Sequence, residues 1–270
     1  MVKSARQRFP FRKVFDGSPL KGKPLRNPGQ SLDDALNRVF EVELLPYVLF
    51  PGFFWILALF EWVARWKGMP RSPELYAIVA VALSVWSAWR LSRLHRVIRD
   101  AKLGRDGERA VGQYLEGLRV DGARVFHDVP GEGFNVDHVV ISERGIYVVE
   151  TKTWRKRQPD SHVSVKEGRL YRNGTLVNPN PIEQVKAEAR WIRKVLQDST
   201  GKTFQVRSVV VFPGWFVEPM DAATKSQAWV LEPKALPAFI EKEPLVLAGG
   251  DVALVAYHLS RYVRTCDDSA

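Results

Sequence analysis

A single cysteine, Cys266, stands close to the C-terminus of the chain. One thiol excludes an internal disulfide and any cysteine-based zinc ribbon, and it fits a reducing compartment. His127, His162 and His258 show no ligand spacing, so zinc finds no support there either. The N-terminus has no apolar core of the kind an ordinary signal peptide needs, and no internal repeat is evident. Acidic residues are in the minority, 30 against 40 Lys and Arg, for a net charge of +10 and a pI near 9.8. That balance favours an acidic partner, nucleic acid or anionic lipid, without choosing between them. Over 270 residues, a 46% hydrophobic content excludes global disorder and allows one or two domains with a sizeable core.

Charge is also missing locally, in two long runs. Residues 44 to 60 read LLPYVLFPGFFWILALF and residues 75 to 89 read LYAIVAVALSVWSAW, both uncharged. Each is a little shorter than the ~20 residues a crossing helix needs. Flanking tryptophans and snorkelling of Arg65 and Arg90 make up the difference. Neither run has the polar face of a soluble surface helix, so the reading is a transmembrane hairpin over 44–90; the alternative is a helical hairpin buried in a soluble core. Before it, residues 1–43 form a basic arm, largely disordered up to about residue 30. A short amphipathic helix over 31–43, capped by Ser31, is expected to lie against the membrane surface. Arg90, Arg93, Arg96, Arg99, Lys102 and Arg105 follow the second run, whereas the connecting loop has Arg65, Lys67 and Arg71. Both termini are therefore expected in the cytoplasm. Asp33, Asp34, Glu41 and Glu43 dilute the positive signal ahead of the first run.

Residues 91–270 form the expected cytoplasmic domain. A helix over 90–118 breaks near Gly104 to Gly107, and its second half buries Ala110, Val111, Tyr114, Leu115 and Leu118. Strands follow at 123–130, 134–142 and 145–154, the last two joined by a turn at Glu143, Arg144 and Gly145. A small hairpin over 162–177, a helix over 178–199, strands at 206–214 and 228–233, and helices near 235–242 and 250–264 complete the order. The expected class is α/β, a mixed sheet flanked by helices.

The stretch NVDHVVISERGIYVVETK, 135 to 152, carries the chemistry. Alternation puts Glu150 and Lys152 on one face of a strand, and Asp137 sits on its neighbour. Two carboxylates and the Thr151 carbonyl make a hard-oxygen Mg²⁺ site. A lysine beside it can position a water and assist its deprotonation, while the ion stabilises charge on a scissile phosphate. The bland alternative is a cross-strand Lys–Glu salt bridge on a solvated face, because E-x-K tripeptides are common. His138 faces the other side of the sheet and reads as a hydrogen-bonded core histidine. Trp154, Arg155, Lys156 and Arg157 could stack on a base and hold phosphates, or form a solvated loop anchored by its tryptophan. Lys186, Arg190, Arg193 and Lys194 either line a nucleic-acid groove or make a solvated helix face.

The wider order resembles the nuclease-related domain (NERD), a branch of the restriction-endonuclease-like PD-(D/E)xK superfamily. The matching text is GRDGERAVGQYLEGL, VFHDV, FNVDHVVISERGIYVVETKTW and NPNPIEQVKAEARWIRKVL, over roughly residues 104 to 215. The resemblance implies that Asp137 and Glu150 are metal-binding acids and Lys152 the catalytic lysine. It further implies that Glu108 is an upstream helical acid assisting metal or water, and that Gln184 contacts substrate or supports the site. Val136 stands where the superfamily has its nominal proline, as is common in this branch. The expectation is a membrane-anchored, Mg²⁺-dependent nuclease (with Mn²⁺ as a substitute) acting on DNA in preference to RNA, and able to work as a homodimer. The alternatives are a non-catalytic module that binds nucleic acid or a protein at the membrane, and a membrane-assembly protein whose soluble domain only oligomerises.

Overall fold

The computed structural model describes residues 25–69, 73–156 and 158–269. Most of the basic arm (1–24), Arg71 of the connecting loop and Arg157 lie outside the described residues.

The chain opens with α1 (Gln30–Arg38), continues through a π-helical stretch (Val39–Leu44) into α2 (Leu45–Trp66), and returns as α3 (Pro73–Glu116). After a short 3₁₀ turn come β1 (Arg124–Pro130), β2 (Asn135–Ser142), β3 (Gly145–Thr151), β4 (His162–Lys166), β5 (Arg169–Arg172) and β6 (Thr175–Leu176). The rest is α4 (Pro181–Thr200), β7 (Val206–Val211), β8 (Phe216–Val217), α5 (Ala222–Gln227), β9 (Trp229–Leu231), α6 (Leu236–Glu241) and α7 (Gly249–Ser269).

α2 and α3 are both long and apolar enough to cross a membrane. They run antiparallel, with the Trp55 indole donating to Ser84 Oγ at 3.1 Å, Arg90 Nε donating to the Tyr47 hydroxyl at 3.1 Å, and Arg65 paired with Glu74. Ile56, Phe60, Ile78 and Val85 remain largely exposed. The alternative of a hairpin buried in a soluble core is therefore not realised.

Three expectations are corrected here. First, α3 does not break at Gly104 to Gly107 but continues to Glu116. Gly107 serves close packing, since a Cβ there would fall 1.7 Å from Thr153 Oγ1, whereas one on Gly104 would make only an ordinary contact with Leu32 at 3.6 Å. Second, the helix expected over 31–43 is α-helical only to Arg38, and it packs on α3, where Asp33 pairs with both Arg105 and Arg109 and Leu36 is buried. Third, Ser31 is not the helix cap. Gly29, at φ +70°, precedes the helix, and Ser31 is engaged by Asp128.

The core sheet has the order β1-β2-β3-β7-β9, antiparallel across β1, β2 and β3 and parallel across β3, β7 and β9. β3 is buried along its whole length, as a central strand covered on both faces must be. Val148, Val149, Val209 and Val210 are fully enclosed there, with α4 contributing Ile182, Val185, Ile192 and Leu196. The expected hairpin belongs to a second sheet, ordered β6-β5-β4-β8. The mixed sheet flanked by helices thus matches the expected class. Three strands are clearly shorter than expected: β3 ends at Thr151, β7 at Val211, and β9 covers only Trp229–Leu231.

Candidate functional site

The β2–β3 register pairs His138 with Val149, which sets Asp137 opposite Glu150 on one face of the sheet. Beyond β3, the Lys152 N–H still bonds to Val211 O at 2.9 Å, so the lysine leaves the sheet in a defined direction. Its Nζ lies 2.5 Å from Glu150 Oε1 and 2.9 Å from Gln184 Oε1. Gln184 comes from the first turns of α4, which starts where Asn180 accepts from the Ile182 N–H and Pro181 needs no donor. The Gln184 amide donates to Glu150 Oε1 at 2.9 Å and to Glu188 Oε1 at 2.8 Å. Asp137 is held from the other side, its Oδ2 accepting the Thr151 N–H at 2.8 Å.

Glu108 reaches this group from α3. Gly107, pressed against Thr153, lets the helix come close enough to the end of β3 for the Glu108 charge to act on Asp137. Burial, then Asp128 and Glu150, push Glu108 up to about 8. Burial and the Glu150 charge do the same to Glu188, also to about 8. Asp137 is raised well above the ordinary carboxylate range, by burial first and by Glu150 and Glu108 next. Burial works against the charge on Lys152, but Glu150 beside it outweighs that and raises its pKa. The lysine is thus an ammonium in a nest of carboxylates.

Four acids against one ammonium leave the cluster short of positive charge. Glu150 Oε2 and Glu188 Oε2 are buried without a hydrogen-bond partner among the described residues. Oxygen donors deprived of partners, with pKa values raised by burial and then by mutual repulsion, are the chemistry a hard divalent cation satisfies. Among the described residues, no three acidic or imidazole side chains are already drawn into ligating geometry. The Lys152–Glu150 contact occupies one of the oxygens for which a cation would compete.

The structure therefore brings together Glu108, Asp137, Glu150, Thr151, Lys152 and Gln184. It adds Glu188, which the sequence reading did not single out. The signal was there, since Glu188 follows Gln184 by one helical turn on the same face.

The aromatic and basic run next door is divided. Trp154 is wedged against Phe212 and Trp215, with ring centroids at 4.8 and 5.8 Å, and the Trp215 indole donates to its carbonyl at 3.1 Å. The guanidinium of Arg172 lies over its ring. Trp154 is thus a packed anchor, whereas Arg155 and Lys156 are exposed. On the opposite face from Asp137, His127 and His138 are buried with Nδ1 atoms 2.9 Å apart, and His127 Nε2 lies 2.8 Å from Glu116 Oε1. Burial lowers both imidazole pKa values. His138 is the hydrogen-bonded core histidine that alternation implied.

These features define a class: a mixed α/β fold in which strand carboxylates, a lysine and helical acids meet at the end of a central strand. Residues 103–213 match the family model of the nuclease-related domain. The match spans every residue of the acid cluster, and placement in the PD-(D/E)xK superfamily is consistent with it. Searches of curated proteins and of solved structures each gave no match.

Proposed function

We propose that the protein is a membrane-anchored nuclease that hydrolyses phosphodiester bonds in DNA and depends on Mg²⁺. The observation that carries this reading is the Asp137–Glu150 pair, with Lys152 and Gln184 fastened to Glu150. Asp137, Glu150 and the Thr151 carbonyl are the groups that would hold the ion. When bound, it would supply charge stabilisation to the scissile phosphate and make a bound water more acidic.

The remaining roles belong to the chain. Lys152, kept cationic by Glu150, orients the attacking water and donates to a phosphate oxygen; proton removal falls to a carboxylate instead. Glu108, with a pKa raised to about 8, is suited to exchange that proton near neutral pH. Gln184 fixes the Glu150 rotamer and separates it from Glu188. Arg155 and Lys156 grip the backbone through phosphate contacts, and Arg157 adds to the same run.

The two apolar helices serve as the anchor, with both termini in the cytoplasm. Because α3 is unbroken, the acid cluster stands about 27 Å along the helix from Arg90, at 1.5 Å per residue. That leaves room for a duplex beside the bilayer, and a homodimer would offer a site to each strand.

The test uses the full chain in nanodiscs with supercoiled plasmid, linear duplex, single-stranded DNA and RNA, in Mg²⁺, in Mn²⁺ and in EDTA. Metal-dependent cleavage that is lost in Lys152→Ala and Asp137→Asn supports the reading and names the substrate. Binding without cleavage by the folded protein would replace it with a non-catalytic nucleic-acid module.

A further inference from the structure

The segment ahead of the membrane hairpin is unusually well held. Asp128, only 2% exposed and at φ 49°, accepts four hydrogen bonds. The Ser31 N–H donates at 2.9 Å, Ser31 Oγ at 2.6 Å, Arg26 Nη1 at 3.1 Å and Asn135 Nδ2 at 3.1 Å. Three of the four come from residues before the hairpin. Pro28 sits in a notch on α3 made by Gly112, where an added Cβ would lie 2.5 Å from Pro28 Cγ. Gly29 packs on Arg105, Asp33 pairs with Arg105 and Arg109, Leu36 is buried, and Leu25 packs against the core of the domain.

We infer that residues 25–38 are an integral piece of the cytoplasmic domain, which is therefore discontinuous in sequence, with the transmembrane hairpin inserted into it. A domain that began after the hairpin would leave Asp128 with one of its four hydrogen bonds, and an unfilled groove over Gly112. Those hydrogen bonds and that packing exist only with this segment in place, so it stabilises the β1 end of the sheet. It also links the acid cluster to the anchor through two helices. The Asp128 charge bears on Glu108, and the same strap runs on through Val39–Leu44 into α2.

α1 runs without a break through Val39–Leu44 into α2, so its docking on α3 is read from the change in its amide exchange between variants, not from protection alone. Hydrogen exchange would be measured on the full chain in nanodiscs for the wild type and three variants. Gly112→Ala improves local helix propensity while filling the notch. Arg26→Ala/Ser31→Ala alters only the strap, and Gln113→Ala, on the exposed side of α3, is the control. The expected result is that amides of 30–38 exchange about tenfold faster or more in the first two variants, with β2 and β3 still protected, and unchanged in the control. Wild-type exchange over 30–38 in both strap-directed variants would overturn the inference. So would wild-type amides over 30–38 that are already unprotected. Neither readout depends on nuclease activity, so a failure of the nuclease reading leaves this test intact.

Discussion

Lys152 Nζ and Glu150 Oε1 form an ion pair at 2.5 Å in which the carboxylate is 4% exposed and the ammonium 26%. The buried member is the acid, so the pair is unequal. Removing the lysine strands a charge, whereas removing the acid frees an ammonium that can turn towards solvent.

Lys152→Ala is accordingly expected to abolish phosphodiester cleavage and to cost about 1–3 kcal/mol of stability, the penalty for a buried group left without its partner. Glu150→Gln should also abolish cleavage, with a smaller change in stability. Paired urea titrations of the two variants measure the difference, and equal losses would contradict the asymmetry.

Glu108 and Glu188 keep protons in the folded state up to about pH 8, whereas in the unfolded chain they release them near 4.5. The folded state thus binds more protons across that window, and stability falls as pH rises through it. His127 and His138 act oppositely: neutral when folded, they lower stability as pH drops below about 6.5. Between pH 6.5 and 8 the carboxylates dominate. The thermal midpoint should decline over that interval, and Glu188→Gln should flatten the decline. Added Mg²⁺ should raise the midpoint more at pH 8 than at pH 6, as thermal scans with and without EDTA would record.

Gly107→Ala places a methyl group 1.7 Å from Thr153 Oγ1 and 2.7 Å from its Cβ. The expected cost is about 1–3 kcal/mol, as for overpacking elsewhere, although alanine is the better helix former. Activity should fall further than stability, because α3 must retreat and take Glu108 with it. Thr153→Gly in the same chain should recover part of both, read by thermal midpoint and cleavage rate.

Arg155 and Lys156 are exposed, and Arg155 lies 3.8 Å from Asp100 across to α3. Replacing both by alanine should leave the thermal midpoint within about 1 °C, since exposed ion pairs contribute little. It should also weaken DNA binding and reduce the salt-dependence slope by about 0.9 for each lost phosphate contact. Trp154→Ala should do the reverse, lowering stability through the Phe212 and Trp215 packing. Fluorescence anisotropy over a salt series, beside thermal scans, separates the two.

Much of this was legible in the residues themselves. Alternation along a strand is a property of the backbone, so Glu150 and Lys152 had to share a face, and His138 had to oppose Asp137. The uncharged runs marked the two apolar helices because covering so many large side chains takes either a core or a lipid phase. The nuclease-related text supplied Glu108 and Gln184, which lie far from the strands in sequence and have no local pattern that would recruit them.

Other features depended on the tertiary structure. Gly104 and Gly107 read as a helix break because glycine is a poor helix former. In the fold the helix runs on through both, and at Gly107 a side chain would collide with Thr153, so tertiary packing outweighs propensity. Ser31 read as a cap, yet its hydroxyl and N–H serve Asp128, 97 residues away. By itself, the sequence determined the strand faces, the apolar spans and the acids opposite one another, because these follow from backbone periodicity and composition. Only the tertiary structure decided that Glu188 joins the cluster, that Trp154 is an anchor, and that α1 returns to α3, because each depends on a partner distant in the chain.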